Sequence, residues 1–292
     1  MRVLVTGGSG RVGIFVVEGL LAAGHDVVSL DIRHPVRPVA GVRTILGDVS
    51  SMQDAFGALS YVKAEAVVHL AAWSDPGIVS DSQTYSDNVS GTFNVLNVCA
   101  AIGVRRAIVA SSAQVYGFKE HDPVYARVDE RHPLRPLNSY ALSKIACEQA
   151  ADYFARRCGM EALSFRIMGA RAPEDLEAEI LSLAARPELG GFLLWNRTDA
   201  RDVAEACALA LAAQSVPPGA YNVTAESNAL GRASMALLRD FCPSTRIETD
   251  IPGTLSILSC EKAKAAFGYA ARHAWSLHPD GRVRMEIVAR DD

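Results

Sequence analysis

No apolar run in the 292-residue sequence approaches the roughly 20 residues of a membrane span, which excludes a transmembrane helix. Neither sign of charge is in excess: 29 Lys plus Arg stand against 33 Asp plus Glu, a net charge of -4. That balance gives no electrostatic reason to expect nucleic acid or an anionic membrane as a partner. The six cysteines (Cys99, Cys147, Cys158, Cys207, Cys242 and Cys260) show neither C-x-x-C pairs nor zinc-type spacing. Ordinary buried thiols are expected instead. No cluster of His, Asp and Glu suggests a metal, and linkers, internal repeats and low-complexity stretches are missing too. The first residues enter a strand without a basic segment, apolar stretch and cleavage site, so the expected location is the cytoplasm.

What the chain does have is 49% hydrophobic residues and a regular alternation of strand and helix patterns. Strands are expected at Arg2–Val5, Asp26–Leu30, Val42–Leu46, Ala66–Leu70, Arg106–Ala110 and Ala162–Arg166. Helices are expected at Val12–Ala23, Met52–Leu59, Gln83–Ile102 and Ser139–Cys158. Continuous apolar strands separated by helices argue for a parallel sheet covered on both faces. The fold class is therefore α/β, a Rossmann-type doubly wound parallel sheet over residues 1–166. Beyond 166 the alternation loosens. Helices are expected at Glu174–Ala185, Asp202–Ala213 and Ala229–Phe241, and short strands at Gly191–Leu194 and Ala220–Val223. Residues 167–292 are expected to form a smaller substrate-binding cap, interleaved with the last elements of the sheet.

The first strand runs into Gly7-Gly8-Ser9-Gly10-Arg11-Val12-Gly13. Gly7, Gly10 and Gly13 permit a tight turn and close backbone approach to a pyrophosphate. The helix that opens at Arg11 and Val12 would point free N–H groups and its positive dipole end at the phosphates. Asp31 follows Gly13 by 18 residues at the end of the next strand, placed to accept from ribose hydroxyls and to repel a 2′-phosphate. NAD is expected over NADP, although Arg33 nearby weakens the preference. Asp48 and Val49 are candidates for the adenine, with an N-cap role open to Asp48 or Ser50.

In mid-chain, Ser111-Ser112-Ala113-Gln114-Val115-Tyr116 ends a strand, and Tyr140-Ala141-Leu142-Ser143-Lys144 opens a helix. A phenol with an ammonium one turn away, plus a hydroxyl, are the groups needed to move a proton while a nicotinamide moves a hydride. The phenol pKa of about 10 must fall for work near neutral pH, and Lys144 together with the positive nicotinamide is expected to lower it.

These motifs resemble the extended branch of the short-chain dehydrogenase/reductase superfamily, the NAD-dependent epimerase/dehydratase family. The likeness is dense over residues 1–166 and thin beyond, and includes His69-Leu70-Ala71-Ala72 and Asn88-Val89-Ser90-Gly91-Thr92. It implies that Tyr140 is the acid/base, that Lys144 is its electrostatic partner and a holder of the nicotinamide ribose, and that Ser112 positions the reacting oxygen. Ser111 is the near alternative, and the S-S-x-x-V-Y-G pattern selects Ser112. Leu70, Ala71 and Ala72 join the cofactor residues by the same likeness. Tyr116 is expected to shape the substrate pocket, Asn88 to lie near the active site or to be structural, and His69 to be a satisfied core histidine.

Family members that dehydrate sugars carry an Asp-Glu pair where this chain has Ala113-Gln114, so dehydration is disfavoured. The Arg of the family's Arg-Asp-Tyr-x-His-Val segment is also missing near Arg197–Val203. These departures, and a likeness to hexuronate dehydrogenases at Trp73-Ser74, imply a sugar or sugar acid as small-molecule substrate. Ser74, Ser112, Gln114 and Arg171 are the expected substrate residues. The expected function is NAD-dependent hydride transfer with a secondary alcohol or ketone of a sugar. A nucleotide-sugar epimerase using a keto intermediate is the alternative, and a non-catalytic NAD(P) sensor is a third reading. Family resemblance further implies a homodimer through the two long helices.

Overall fold

The structure, a computed structural model, describes residues 1–289. In chain order it contains β1 (Arg2–Thr6), α1 (Gly13–Ala22), β2 (Asp26–Asp31), β3 (Arg43–Leu46), α2 (Met52–Val62) and β4 (Ala66–His69). Then come α3 (Asp81–Ile102), β5 (Arg106–Ser112), β6 (Tyr125–Ala126), α4 (Ser139–Cys158), β7 (Glu161–Ile167) and β8 (Ala170–Arg171). The remainder is α5 (Pro173–Ala185), β9 (Thr198–Asp199), α6 (Ala200–Ala212), β10 (Gly219–Val223), α7 (Ser234–Phe241), β11 (Arg246–Ile247), α8 (Glu261–Phe267), β12 (His273–Leu277) and β13 (Val283–Ile287). None of the helices among the described residues is long and apolar enough to cross a membrane.

Seven strands form one sheet in the order β10-β7-β5-β4-β1-β2-β3, and the pairings from β3 through β5 are parallel. This is the doubly wound arrangement expected from the sequence. The order reverses beside β1, and ligands of such sheets bind outside the carboxyl ends at that switch point. Side chains alternate between the two faces of a strand. Leu4, Val28, Leu30, Val67, Ala107 and Val109 accordingly share one core with α2, α3 and α4, through Leu59, Leu96, Cys99, Cys147 and Phe154.

Two compact units divide the chain. The first comprises residues 1–112, 138–166 and 204–220, and the second comprises 113–137, 167–203 and the described residues from 221 onward. The chain therefore passes between units several times. In the second unit the Asp199 and Asp202 side chains are fully buried. Asp199 accepts from Trp275 Nε1 at 2.9 Å and Asp202 from His273 Nδ1 at 2.7 Å, so both tie down the hairpin β12–β13.

Two elements of the second unit differ from expectation. Gly191–Leu194 is not a strand but the end of a 3-10 helix at Pro187–Leu193, its turn closed by Trp195 Nε1 donating to the Pro187 carbonyl (2.7 Å). The helix expected from Ala229 begins only at Ser234. Asn228 fixes the preceding residues as a loop, accepting from Leu230 N and donating to the carbonyl of Arg232. All six cysteines are free, and Cys158, the last residue of α4, is exposed where a buried thiol was expected.

Candidate active site

The glycine-rich turn connects β1 to α1. Gly7 has φ of +72°, and a Cβ there would lie 2.6 Å from Ala71 N, a distance no side chain tolerates. A Cβ on Gly13 would overlap the Gly7 carbonyl oxygen. No side chain caps α1, whose N-cap residue is Val12; in its first turn Ile14 N donates to the Gly10 carbonyl (3.1 Å), and the positive end of the helix dipole faces the turn. Asp31, at the end of β2, closes the turn from the other side: Oδ2 accepts from Ser9 N (2.9 Å) and Oδ1 from Arg33 N (3.3 Å). A carboxylate offers about four acceptor positions, so capacity for a ribose diol remains. These features fit a dinucleotide.

Further expected cofactor residues occupy loops at carboxyl ends of strands. Leu70 N donates to the Thr6 carbonyl (3.0 Å) and Ala71 N to Thr6 Oγ1 (3.3 Å), binding the end of β4 to β1. Ala72 is half-buried in the same loop. Arg11 is exposed and lies 3.5 Å from Asp75. Asp48 does not cap α2; Ser51 does, accepting from Asp54 N, while Asp48 accepts from Ser50 N (2.8 Å) and shapes the turn that precedes it. Val49 presents its carbonyl to Asn94 of α3 (3.1 Å).

The three expected catalytic residues come together in the first unit. Asn138 caps α4 by accepting from Ala141 N (2.8 Å), and Tyr140 and Lys144 follow one turn apart on its buried face. Ser112 is the last residue of β5 and its hydroxyl is hydrogen-bonded to Tyr140. Ser111 instead donates to Glu148 Oε1 (2.5 Å). Lys144 Nζ lies 5.6 Å from the Tyr140 ring centroid and donates to the Ala110 carbonyl (2.8 Å).

Burial opposes the expected lowering of the Tyr140 pKa. Burial pushes the Tyr140 phenol up to about 12, and the Ser112 bond offsets only part of that. The Lys144 ammonium, which donates to the Ala110 carbonyl, does not outweigh that burial. Burial also lowers the pKa of Lys144 itself.

His69 is a core residue: it pairs with Thr6 Oγ1 at 2.6 Å and Thr92 Oγ1 at 3.1 Å. Burial, then the nearby Lys144 charge, lowers its pKa to about 3. Asn88 joins the loop after β4 to α4, accepting from Trp73 N (2.8 Å) and donating to Ser143 Oγ (3.0 Å). Tyr116 is wholly buried in the second unit and donates to Asn222 Oδ1 (2.7 Å).

The expected substrate residues divide between the units. Ser74, in the loop after β4, is exposed, and Ser112 stands beside Tyr140. Gln114 and Arg171 belong to the second unit, where Arg171 donates to Glu179 Oε1 (2.9 Å) and Arg197 to Oε2 of the same carboxylate (3.1 Å). Sequence reasoning missed Glu148 and Arg166. Their signals were a carboxylate one turn beyond Lys144 and a cation next to the carboxyl end of β7.

The sequence profile of the NAD dependent epimerase/dehydratase family matches residues 3–224. The UDP-glucose 4-epimerase of Streptomyces lividans is 33% identical over 205 residues, which are 65% of this chain and 60% of that protein. The L-arabinose 1-dehydrogenase (NAD(P)(+)) of Haloferax volcanii is 34% identical over 175 residues, 57% of this chain and 66% of that protein. The chain thus spans less than two thirds of the length of these curated relatives. Among solved structures, the Thermus thermophilus UDP-glucose 4-epimerase complex with NAD is 27% identical, with TM-score 0.68 and coverage of 94% of this chain and 95% of that one. A short-chain dehydrogenase/reductase superfamily protein from Agrobacterium tumefaciens with bound NAD is 25% identical, with TM-score 0.70 and coverage of 93% and 92%. With its glycine turn, Asp31 and the Ser112–Tyr140–Lys144 group on a doubly wound sheet, this chain belongs to the NAD dependent epimerase/dehydratase family.

Proposed function

We propose that the protein is an NAD-dependent oxidoreductase acting on a secondary alcohol or ketone of a sugar or sugar derivative. The observation that carries this reading is the buried Ser112–Tyr140 hydrogen bond with Lys144 one helical turn further on. Gly7, Gly10, Gly13 and the positive end of α1 would hold the pyrophosphate, Asp31 the adenosine ribose, and Lys144 the nicotinamide ribose. Bound there, NAD would supply the acceptor of a hydride in oxidation and its donor in reduction.

Ser112 orients the reacting oxygen, and Tyr140 Oη takes the hydroxyl proton in oxidation or gives it to the carbonyl in reduction. A phenol raised by burial is a proton donor at neutral pH, which suits reduction as it stands. Oxidation requires the phenolate, favoured by the Ser112 bond and by positive charge nearby. Tyr140 exchanges its proton without help from His69, which stays neutral in the core.

Epimerisation of a nucleotide sugar through a transient ketone is the second reading, favoured by the relatives that are UDP-glucose 4-epimerases. It uses the same proton transfer. Analysis of the purified protein for NAD separates the two: stoichiometric, tightly held NAD supports epimerisation, and reversible uptake supports a dehydrogenase. Panels of nucleotide sugars and of free sugars and sugar acids, the latter read at the NADH band, then identify the substrate. An absence of turnover across both panels defeats the oxidoreductase reading.

The partner of the chain is a second copy of itself. Tyr85 and Phe93 of α3 and Leu142 and Tyr153 of α4 are exposed apolar side chains that pairing of these helices would cover. Light scattering at micromolar concentration tests this, and a monomer refutes it.

A further inference from the structure

The last three residues of β5 are each bonded to α4, at three successive turns of the helix. The Ala110 carbonyl accepts from Lys144 Nζ (2.8 Å), Ser111 Oγ donates to Glu148 Oε1 (2.5 Å), and the Ser112 hydroxyl is bonded to Tyr140. Tyr140, Lys144 and Glu148 lie four residues apart, on one face of the helix. Consecutive side chains of a strand normally point to opposite faces. That Ser111 and Ser112 both reach α4 fixes the twist at which the strand ends. Rotation of the strand end to relax one bond strains the other.

Glu148 is held as firmly as it holds. Arg166, from β7, donates Nε to Oε1 (2.9 Å) and Nη2 to Oε2 (2.7 Å) of its carboxylate. All three residues are buried. A bidentate guanidinium fixes both the position and the plane of the carboxylate. It also balances the charge, so the anchor brings no unpaired anion close to the phenol.

We infer that Glu148, oriented by Arg166, is a positioning residue for the reaction: through Ser111 it sets where Ser112 stands against Tyr140. The inference rests on the proposed proton transfer for its catalytic consequence, and on the geometry alone for its structural one. Glu148 also favours the cationic form of Lys144, which burial opposes.

Ser111→Ala tests it with the least disturbance, since it removes one hydroxyl and leaves the Glu148–Arg166 pair whole. The expected result is a kcat lowered about tenfold, in keeping with the cost of small misplacements, with KM and the thermal midpoint nearly unchanged. Ser111→Thr, which keeps the hydroxyl, is expected to recover most of the lost kcat. A purely structural role would instead lower the thermal midpoint and leave kcat per folded molecule as it was, which overturns the inference. So would equal losses of kcat in the Ala and Thr variants. A crystal structure of Ser111→Ala decides the geometry independently of turnover: a displaced Ser112 supports the inference, and an intact Ser112–Tyr140 bond overturns it. Wild-type protein without turnover would defeat the redox reading, while the crystal structure would still decide the role of Glu148.

Discussion

β5 and β7 each begin and end beside a buried Arg–Glu pair, and the two pairs are placed for different work. At the amino ends, Arg106 pairs with Glu161, its Nε donating to Oε2 at 2.6 Å. The same guanidinium reaches the carbonyls of Ala210 (2.6 Å) and Ala213 (2.7 Å) at the carboxyl end of α6, where a positive charge meets the negative end of a helix. At the carboxyl ends, Arg166 pairs with Glu148, whose carboxylate also takes the Ser111 hydroxyl beside Ser112. The chemistry of the two pairs is the same. The parallel sheet assigns one to helix packing and the other to the ligand side, because only its carboxyl ends face the crevice of a doubly wound fold.

The largest effect should come from the ligand side. Tyr140→Phe removes the proton carrier and is expected to lower turnover about a hundredfold or more, with NAD affinity unchanged by calorimetry. The comparison would fail if the variant kept wild-type kcat. At the opposite end, Glu161→Leu leaves Arg106 buried without its carboxylate and should cost about 3 kcal/mol of stability in denaturant melts. The kcat of the folded fraction should stay at the wild-type level; a proportional fall in kcat would mean that the two ends are not separable.

The amino-end pair has a pH signature. Burial alone would raise the Glu161 carboxyl, but bonds from Arg106 and Arg105 outweigh it and hold the pKa below its ordinary 4.5. Its stabilisation is therefore complete above about pH 4.5 and lost as pH falls through the folded value. The stability gap between wild type and Glu161→Leu should narrow over that range.

His69, near the switch point, acts at higher pH. Its folded pKa of about 3 lies below the ordinary 6.5, so the unfolded chain takes up a proton that the folded chain refuses. Stability should then fall by about 1.4 kcal/mol per pH unit below 6.5, and His69→Gln should flatten that slope in urea melts. An equal slope in the variant would assign the acid sensitivity elsewhere. The smallest change expected is at Asp31. Asp31→Ser should narrow the preference for NAD over NADP by about tenfold in kcat/KM, and an unaltered ratio would show that other groups set it.

Legibility follows distance along the chain. The strand–helix alternation of the first 166 residues can be read because continuous apolar strands and amphipathic helices carry their own periodicities. Beyond it, Gly191–Leu194 and Ala229–Ala233 depart from expectation, because Trp195 and Asn228 bend those segments through bonds that no periodicity announces. At the site, the glycine turn and the Tyr140–Lys144 spacing are local and visible in the sequence. Glu148 and Arg166 escape notice there because charged residues in a helix and at a strand end ordinarily face water.

The sequence by itself determined the elements, the glycine cradle and the placing of Tyr140 and Lys144 one turn apart, since each depends on neighbours within a few residues. Tertiary structure decided which serine meets Tyr140, that Glu148 and Arg166 grip the other, and that the phenol is raised to about 12. Those outcomes depend on excluding water and on joining β5, α4 and β7. Neither the dielectric around a group nor a partner 37 residues away, as Glu148 is from Ser111, is encoded in local spacing.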